Sequence, residues 1–281
     1  MRNIFLLIRR FHVLLLFLLL QVMAISMLVN YSRSHRARYM QLAYETTGRI
    51  NKQYTALTRY FSLGETNRGL AAENEMLYNL LPDNYTTIDT GISAPPAGVS
   101  TDTTKQIRKY NWRAARVVGN SVSLPNNYIT LERGALQGIQ PDMAVVSPTG
   151  IVGVVTDVSN NMCVVMSLLH RKSNTSVELK KGGTSGILEW NGENPGLLQL
   201  RGIPKSAELD LGDTIVTSRF SLNYPPGLLV GTIAGFELDE GAAYYNIQVL
   251  PGANFYTLDH VYIIENLFIK EQQELEKRAQ R

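Results

Sequence analysis

The 281-residue chain holds a single cysteine, Cys163. An internal disulfide and any metal site built from several thiolates are therefore excluded. Cys163 lies in the apolar run Met162–Met166, the setting of a core thiol rather than a reactive one. Imidazole is scarce too, with four histidines in all. No H-E-x-x-H motif occurs, so a zinc site has no support. The Gly-x-Ser-x-Gly surround of a serine nucleophile is missing. The stretch from Lys180 to Gly183 is glycine-rich but lacks the Gly-Lys-Ser/Thr that reaches nucleotide phosphates, and it reads as a β-turn. His170-Arg171-Lys172 reads as a solvated basic loop. Glu189, Glu193 and the Asp239-Glu240 pair fall at turns and read as surface charges. No cofactor is expected.

Acids are missing from residues 1–38, which carry Arg2, Arg9, Arg10, Arg33, Arg36 and Arg38. The formal charge is +3, so the remainder is mildly acidic. Nucleic acid is then an unsuitable main partner, because that binding rests on neutralising phosphates. A basic terminus beside an apolar run fits a membrane surface better. Charge is also missing from Phe11 to Val29, long enough as a helix to cross roughly 28 Å of hydrocarbon. A cleaved signal peptide is the rival reading, with Ala24-Ile25-Ser26 as a weak cleavage site. Apolarity resumes at Met27-Leu28-Val29, which favours an uncleaved anchor. Three arginines precede the span and three follow it, so charge alone sets no orientation.

No proline interrupts Ser34 to Leu81, and Pro82 closes that stretch, which predicts a long helix. Two heptad tracks run along it. Ile50, Tyr54, Leu57 and Phe61 form the first. Leu63, Asn67, Leu70, Asn74, Leu77 and Leu81 form the second, displaced by one residue near Gly64 and Gly69. Asparagine at alternate core positions fits register-setting in a two-stranded coiled coil. A single amphipathic helix packed on its own domain is the other reading. Residues 83–110 are rich in Thr, Ser, Pro and Gly and read as a mobile linker.

From Tyr110 to Glu265 short β-runs alternate with turns, about a dozen strands without helical interruption. That pattern predicts antiparallel barrels or sandwiches, as one large barrel or two small ones. Ser147-Pro148-Thr149-Gly150 reads as a hairpin turn, and Pro226-Gly227 as the corners of a type II turn. Within "GDTIVTSRFSLNYPPGLLVG", Ser218 invites a reading as nucleophile. A nucleophilic serine needs a base and a group to orient it. Only His170 and His260 lie in the β-body, and their spacing matches no hydrolase order. Thr217 and Ser218 read instead as residues that satisfy backbone groups at a strand end.

Five segments in order resemble the rod-shape-determining MreC family of bacteria. They are "ARVVG" from Ala115, "LERGALQGIQPDMAVVSPTGIVGVVTDVS" from Leu131, "GILEWNG" from Gly186, "LGDTIVTSRFSLNYPPGLLVGTI" from Leu211 and "VLPGANFYTLDHVYII" from Val249. Gly212, Asp213, Thr217, Ser218, Pro225, Gly227 and Gly231 stand at signature positions. Arg219 stands where the family usually has Gly, so the loop after Ser218 is expected to be shaped differently, and Tyr224 replaces Phe. The resemblance implies a mainly β fold: an N-terminal transmembrane helix (11–30), a coiled-coil helix (31–82) and two small antiparallel β-barrels. The first barrel is expected from 111–158 with 232–265, the second from 159–231, followed by a charged tail, 266–281. It further implies a cytoplasmic residue 1–10 segment, an inner-membrane single pass, a periplasmic body and a non-enzymatic role in cell elongation. The partners it implies are a second copy of the chain, the membrane protein MreD and the actin-like MreB. It also implies the class B penicillin-binding transpeptidase with its polymerase. Phe220, Leu222 and Tyr224, apolar residues in a loop, are the candidate partner contact. Two rival functions remain: a periplasmic adaptor of an efflux or secretion system, and a membrane-tethered serine hydrolase.

Overall fold

A computed structural model describes residues 2–31, 62–87, 106–238 and 241–279. The chain divides into two compact units, Met1–Thr66 and Asn67–Arg281. In the first, the apolar, proline-free run forms helix α1 (Arg2–Tyr31), with non-helical angles at Phe11 marking a kink. The described side chains from Phe11 to Ala24 are all exposed. Among the described residues, no helix is long and apolar enough to cross a membrane. The first heptad track, Ile50 to Phe61, lies outside the described residues. Helix α2 (62–79) carries the second track from Leu63 to Leu77 and ends earlier than expected, so that Leu81 lies beyond it, next to a 3-10 turn at Pro82–Asn84 where proline has no amide to donate.

The expected linker, 83–110, is corrected at both ends. Strands β1 (Tyr85–Thr87) and β2 (Gln106–Arg108) pair antiparallel, Asn84 and Ile107 are buried, and the Lys109 amide donates to the Asn84 carbonyl at 2.6 Å. Threonine and serine composition suggested mobility. The apolar Ile107 and the β-forming Tyr85 instead give the ends something to bury and pair.

The second unit holds two closed six-stranded antiparallel barrels, the pair of small barrels expected above. The first orders β14 (His260–Asn266), β3 (Tyr110–Asn120), β4 (Asn126–Leu131), β7 (Cys163–His170), β6 (Gly150–Val158) and β5 (Ala144–Ser147). The second orders β10 (Leu198–Arg201), β13 (Asn246–Pro251), β12 (Leu229–Glu237), β11 (Thr214–Thr217), β8 (Thr175–Leu179) and β9 (Ser185–Glu189). The expected division between barrels is therefore revised. Cys163–His170 belongs to the first barrel, between β4 and β6, and the strands Leu229–Glu237 and Asn246–Pro251 belong to the second. Glycine explains both pairings. A Cβ on Gly153 would collide with the Met166 backbone, and one on Gly231 with the Leu250 backbone, so each glycine lets two strands approach.

Alternation along the strands fills the barrels. In β13, Ile247 and Val249 are buried while Asn246 and Gln248 are exposed. Each such apolar side chain contributes about 1.5–3 kcal/mol on burial. Ile129, Leu131, Val165 and Ile263 fill the first barrel, and Val177, Leu188, Leu198 and Ile215 the second. Cys163 is buried among them, and burial pushes its thiol up to about 11. Beyond β14 the charged tail forms α3 (Ile269–Ala279).

Candidate functional site

The loop between β11 and β12, residues 218–228, joins the two barrels. Its base is set by the signature residues. Gly212 sits at φ +87°, a left-handed conformation open to glycine, and its amide donates to Ile233. The Asp213 carboxylate accepts the Asp210 amide at 2.9 Å and fixes the turn into β11. Thr217 clamps the loop. Its hydroxyl donates to the Pro225 carbonyl at 2.6 Å and accepts the Leu228 amide at 2.9 Å. The Thr217 carbonyl accepts the amide of Gly227, which lies at φ +85°, as the second corner of a type II turn requires.

Ser218 is fully buried. Its hydroxyl accepts the Phe220 amide at 3.2 Å and lies 3.4 Å from the Ser185 hydroxyl. The two histidines of the body are engaged elsewhere. His170 Nε2 meets the Tyr128 hydroxyl at 3.2 Å, and His260 Nδ1 meets the Asp259 carboxylate at 3.0 Å. Burial, then the nearby charge of Lys172, holds the His170 imidazole below its ordinary value. The serine thus has two hydrogen-bond neighbours suited to shaping a loop and neither imidazole beside it.

Arg219 meets the family's glycine position without strain, because Asp142 is the only non-glycine residue at positive φ among the described residues. Its guanidinium reaches Glu178 at 3.7 Å from an exposed position. Phe220 is 71% exposed, and Leu222 is half-buried. Tyr224 is not a surface residue, which corrects its place in the candidate contact. It is 1% exposed, and its phenol donates to the Gly153 carbonyl of the first barrel at 2.6 Å. Burial pushes that phenol up. Two further bonds fasten the loop to the first barrel. Asn223 Nδ2 donates to the Asp142 carbonyl at 2.7 Å, and Asn266 Nδ2 donates to the Leu222 carbonyl at 2.8 Å. A groove of about 190 Å³ opens beside the loop, lined by Val154, Thr175, Ser176, Phe220, Leu222 and Tyr224. Phe220 projects from this seam into solvent.

Helix α2 and the turn after it carry the second set of candidate residues. Leu63, Asn67, Leu70, Asn74, Leu77 and Leu81 are all exposed. A flanking face, turned about 100° from that stripe, packs on the first barrel. Ala71 is buried, and the Tyr78 ring stacks on Trp112 with centroids 4.6 Å apart. Sequence reading missed Glu75 and Asn79 on this inner face. Their signal was a second stripe, Ala71, Glu75, Tyr78 and Asn79, rotated away from the leucine track.

Known proteins share this architecture. The family model described as "Rod shape-determining protein MreC, barrel core" matches residues 117–265. The cell shape-determining protein MreC of Listeria monocytogenes is 30% identical over 169 residues, 59% of this chain and 57% of that protein. That of Escherichia coli is 24% identical over 139 residues, 50% of this chain and 38% of that protein. The matched stretches thus span well under two thirds of these relatives' own lengths. Among solved structures, a Listeria MreC has a TM-score of 0.53 at 22% identity, over 79% of this chain and 94% of the other. The Pseudomonas aeruginosa MreC crystal structure has a TM-score of 0.51 at 22% identity, over 54% and 98%. These structural likenesses concern the fold.

Proposed function

The chain belongs to the rod shape-determining MreC family, and from that membership we propose that it is a non-enzymatic scaffold of bacterial cell elongation. It determines cell shape by organising and activating peptidoglycan synthesis. The family match across the double barrel is the observation that carries this reading. The names of the curated relatives, cell shape-determining proteins, support it. The use of Thr217 and Ser218 in loop closure supports a role without catalysis.

The scaffold works as three parts in series. The uncharged run Phe11–Val29 anchors the chain in the inner membrane, with residues 1–10 cytoplasmic and the body periplasmic. The track Ile50 to Phe61 and the displaced track Leu63 to Leu81 pair two or more copies through a coiled coil. The barrels present Phe220 and Leu222 to the class B penicillin-binding transpeptidase and its polymerase, and binding biases the synthase toward an active conformation. MreD, and through it or directly MreB, completes the assembly. An efflux adaptor would insert a helical hairpin between two β-halves, whereas α2 precedes all the barrel strands.

Photoreactive residues at Leu222 and Leu70 in native membranes test this function. The transpeptidase is expected at Leu222, and a second copy of the chain at Leu70. An active-site serine probe is expected to leave the protein unlabelled. Substrate turnover by the purified chain, abolished by a point change in the β-body, would overturn the proposal.

A further inference from the structure

Strand β3 is paired on one edge along its first half, Tyr110 to Arg116 against β14. Its pairing with β4 on the other edge begins only at Val117. Over residues 112–114 that second edge carries backbone groups with no strand beside them among the described residues. Helix α2 fills the gap with side chains. The Trp112 amide donates to Asn79 Oδ1 at 2.9 Å, and Asn79 Nδ2 donates back to the Trp112 carbonyl at 2.8 Å. The Ala114 amide donates to Glu75 Oε2 at 2.8 Å.

We propose that Glu75 and Asn79 act together as a substitute strand. They cap the open edge of β3 and fix the rotation of α2 on the first barrel. The primary amide of Asn79 is chemically a peptide group. Its two bonds to Trp112 repeat the reciprocal pair that two antiparallel residues exchange. The spacings match as well. Residues 75 and 79 are one turn apart on one helix face, about 6 Å of rise, and residues 112 and 114 are about 6.6 Å apart along a strand. A helix can therefore set two donors or acceptors against the same edge that a strand would pair.

Apolar burial alone does not hold α2 in this way. Ala71 is the only buried residue of 67–79. The polar contacts carry the attachment. The Tyr78 ring on Trp112 and the Asn84 carboxamide on Trp112 Nε1 at 2.8 Å reinforce them. Arg108 Nη2 donates to the Asn79 carbonyl at 2.9 Å and holds the helix end. Turning α2 about its axis breaks all these bonds together. Leu70, Asn74 and Leu77, all exposed, are thus held at a fixed angle to the barrel. The value of that angle to assembly rests on the self-association reading above. A covered edge also cannot recruit a stray strand.

The test is hydrogen exchange on the full-length chain in nanodiscs. In the Glu75→Ala/Asn79→Ala variant, protection at the Trp112 and Ala114 amides is expected to fall at least tenfold. Ile129 and Val165 should keep theirs. Asn79→Asp, a milder variant, retains an acceptor for the Trp112 amide but loses the donor to its carbonyl, and an intermediate loss is expected. Unchanged protection at residues 112 and 114 in both variants would overturn the proposal. Cysteine crosslinking of Leu70→Cys between copies separates the two ideas. Absent crosslinks with the exchange result intact would sink the self-association reading and leave the substitute strand in place.

Discussion

The phenol of Tyr224 donates a 2.6 Å hydrogen bond to the carbonyl of Gly153, and the two residues belong to different barrels. Tyr224→Phe removes that bond and leaves the ring in place. A loss of about 1 kcal/mol is expected, which calorimetry would read as a fall in Tm of roughly 2–4 °C. Tyr224→Ala empties the site and should cost about 3–5 kcal/mol. A Phe variant as damaging as the Ala variant would contradict a role divided between packing and one bond.

Phe220→Asp separates recognition from folding. The side chain is mostly exposed, so stability should change by no more than about 0.5 kcal/mol. Pull-down of the transpeptidase should weaken, and Leu222→Asp should weaken it as well. Parallel thermal melts of the same preparations provide the check. A collapse in Tm for Phe220→Asp would assign the residue to the core.

Thr217→Val keeps the shape of the side chain and deletes both loop-closing bonds. The buried Pro225 carbonyl loses a donor and the partly buried Leu228 amide an acceptor. Destabilisation of roughly 2–3 kcal/mol is expected in urea titration, because unpaired buried backbone groups are costly. Ser218→Ala should cost less, since its longer contacts at 3.2 and 3.4 Å are weaker.

His170 confers a pH dependence. Its folded state resists the proton, because burial and Lys172 lower it from the ordinary 6.5. Below that ordinary value the unfolded chain takes up a proton first, so stability falls as pH drops. The contribution is fully present above about 6.5 and is lost progressively toward the lower folded value. The urea midpoint is expected to fall between pH 7.5 and pH 5.5. His170→Asn, which does not titrate, should flatten that slope.

Strand positions were legible in the sequence because their signals are local. Pro148 and Thr149 turn β5 into β6, and alternation marks β4 and β13. Barrel membership was not. The pairing of Val165 with Ile129 joins chain segments far apart in sequence, and no nearby residue announces it. Tyr224 was misplaced for a related reason. An apolar residue in a loop looks available for a partner until the second barrel is set against the first. The aromatic at that point of the signature, followed by two prolines, was the available hint. Asn79 is polar and reads as solvent-facing, since its partner is the edge of a strand 33 positions away.

All six strands of the second barrel fall between Thr175 and Pro251 in sequence, after β7 and before β14 of the first. Vectorial synthesis therefore delivers the inner domain complete while the outer one still lacks a stave. A nascent chain ending before His260 has every strand of the later barrel, yet β3 and β5 wait apart with bare sides. Closure of the outer domain is then the last, long-range step, slow by contact order and exposed to misassembly.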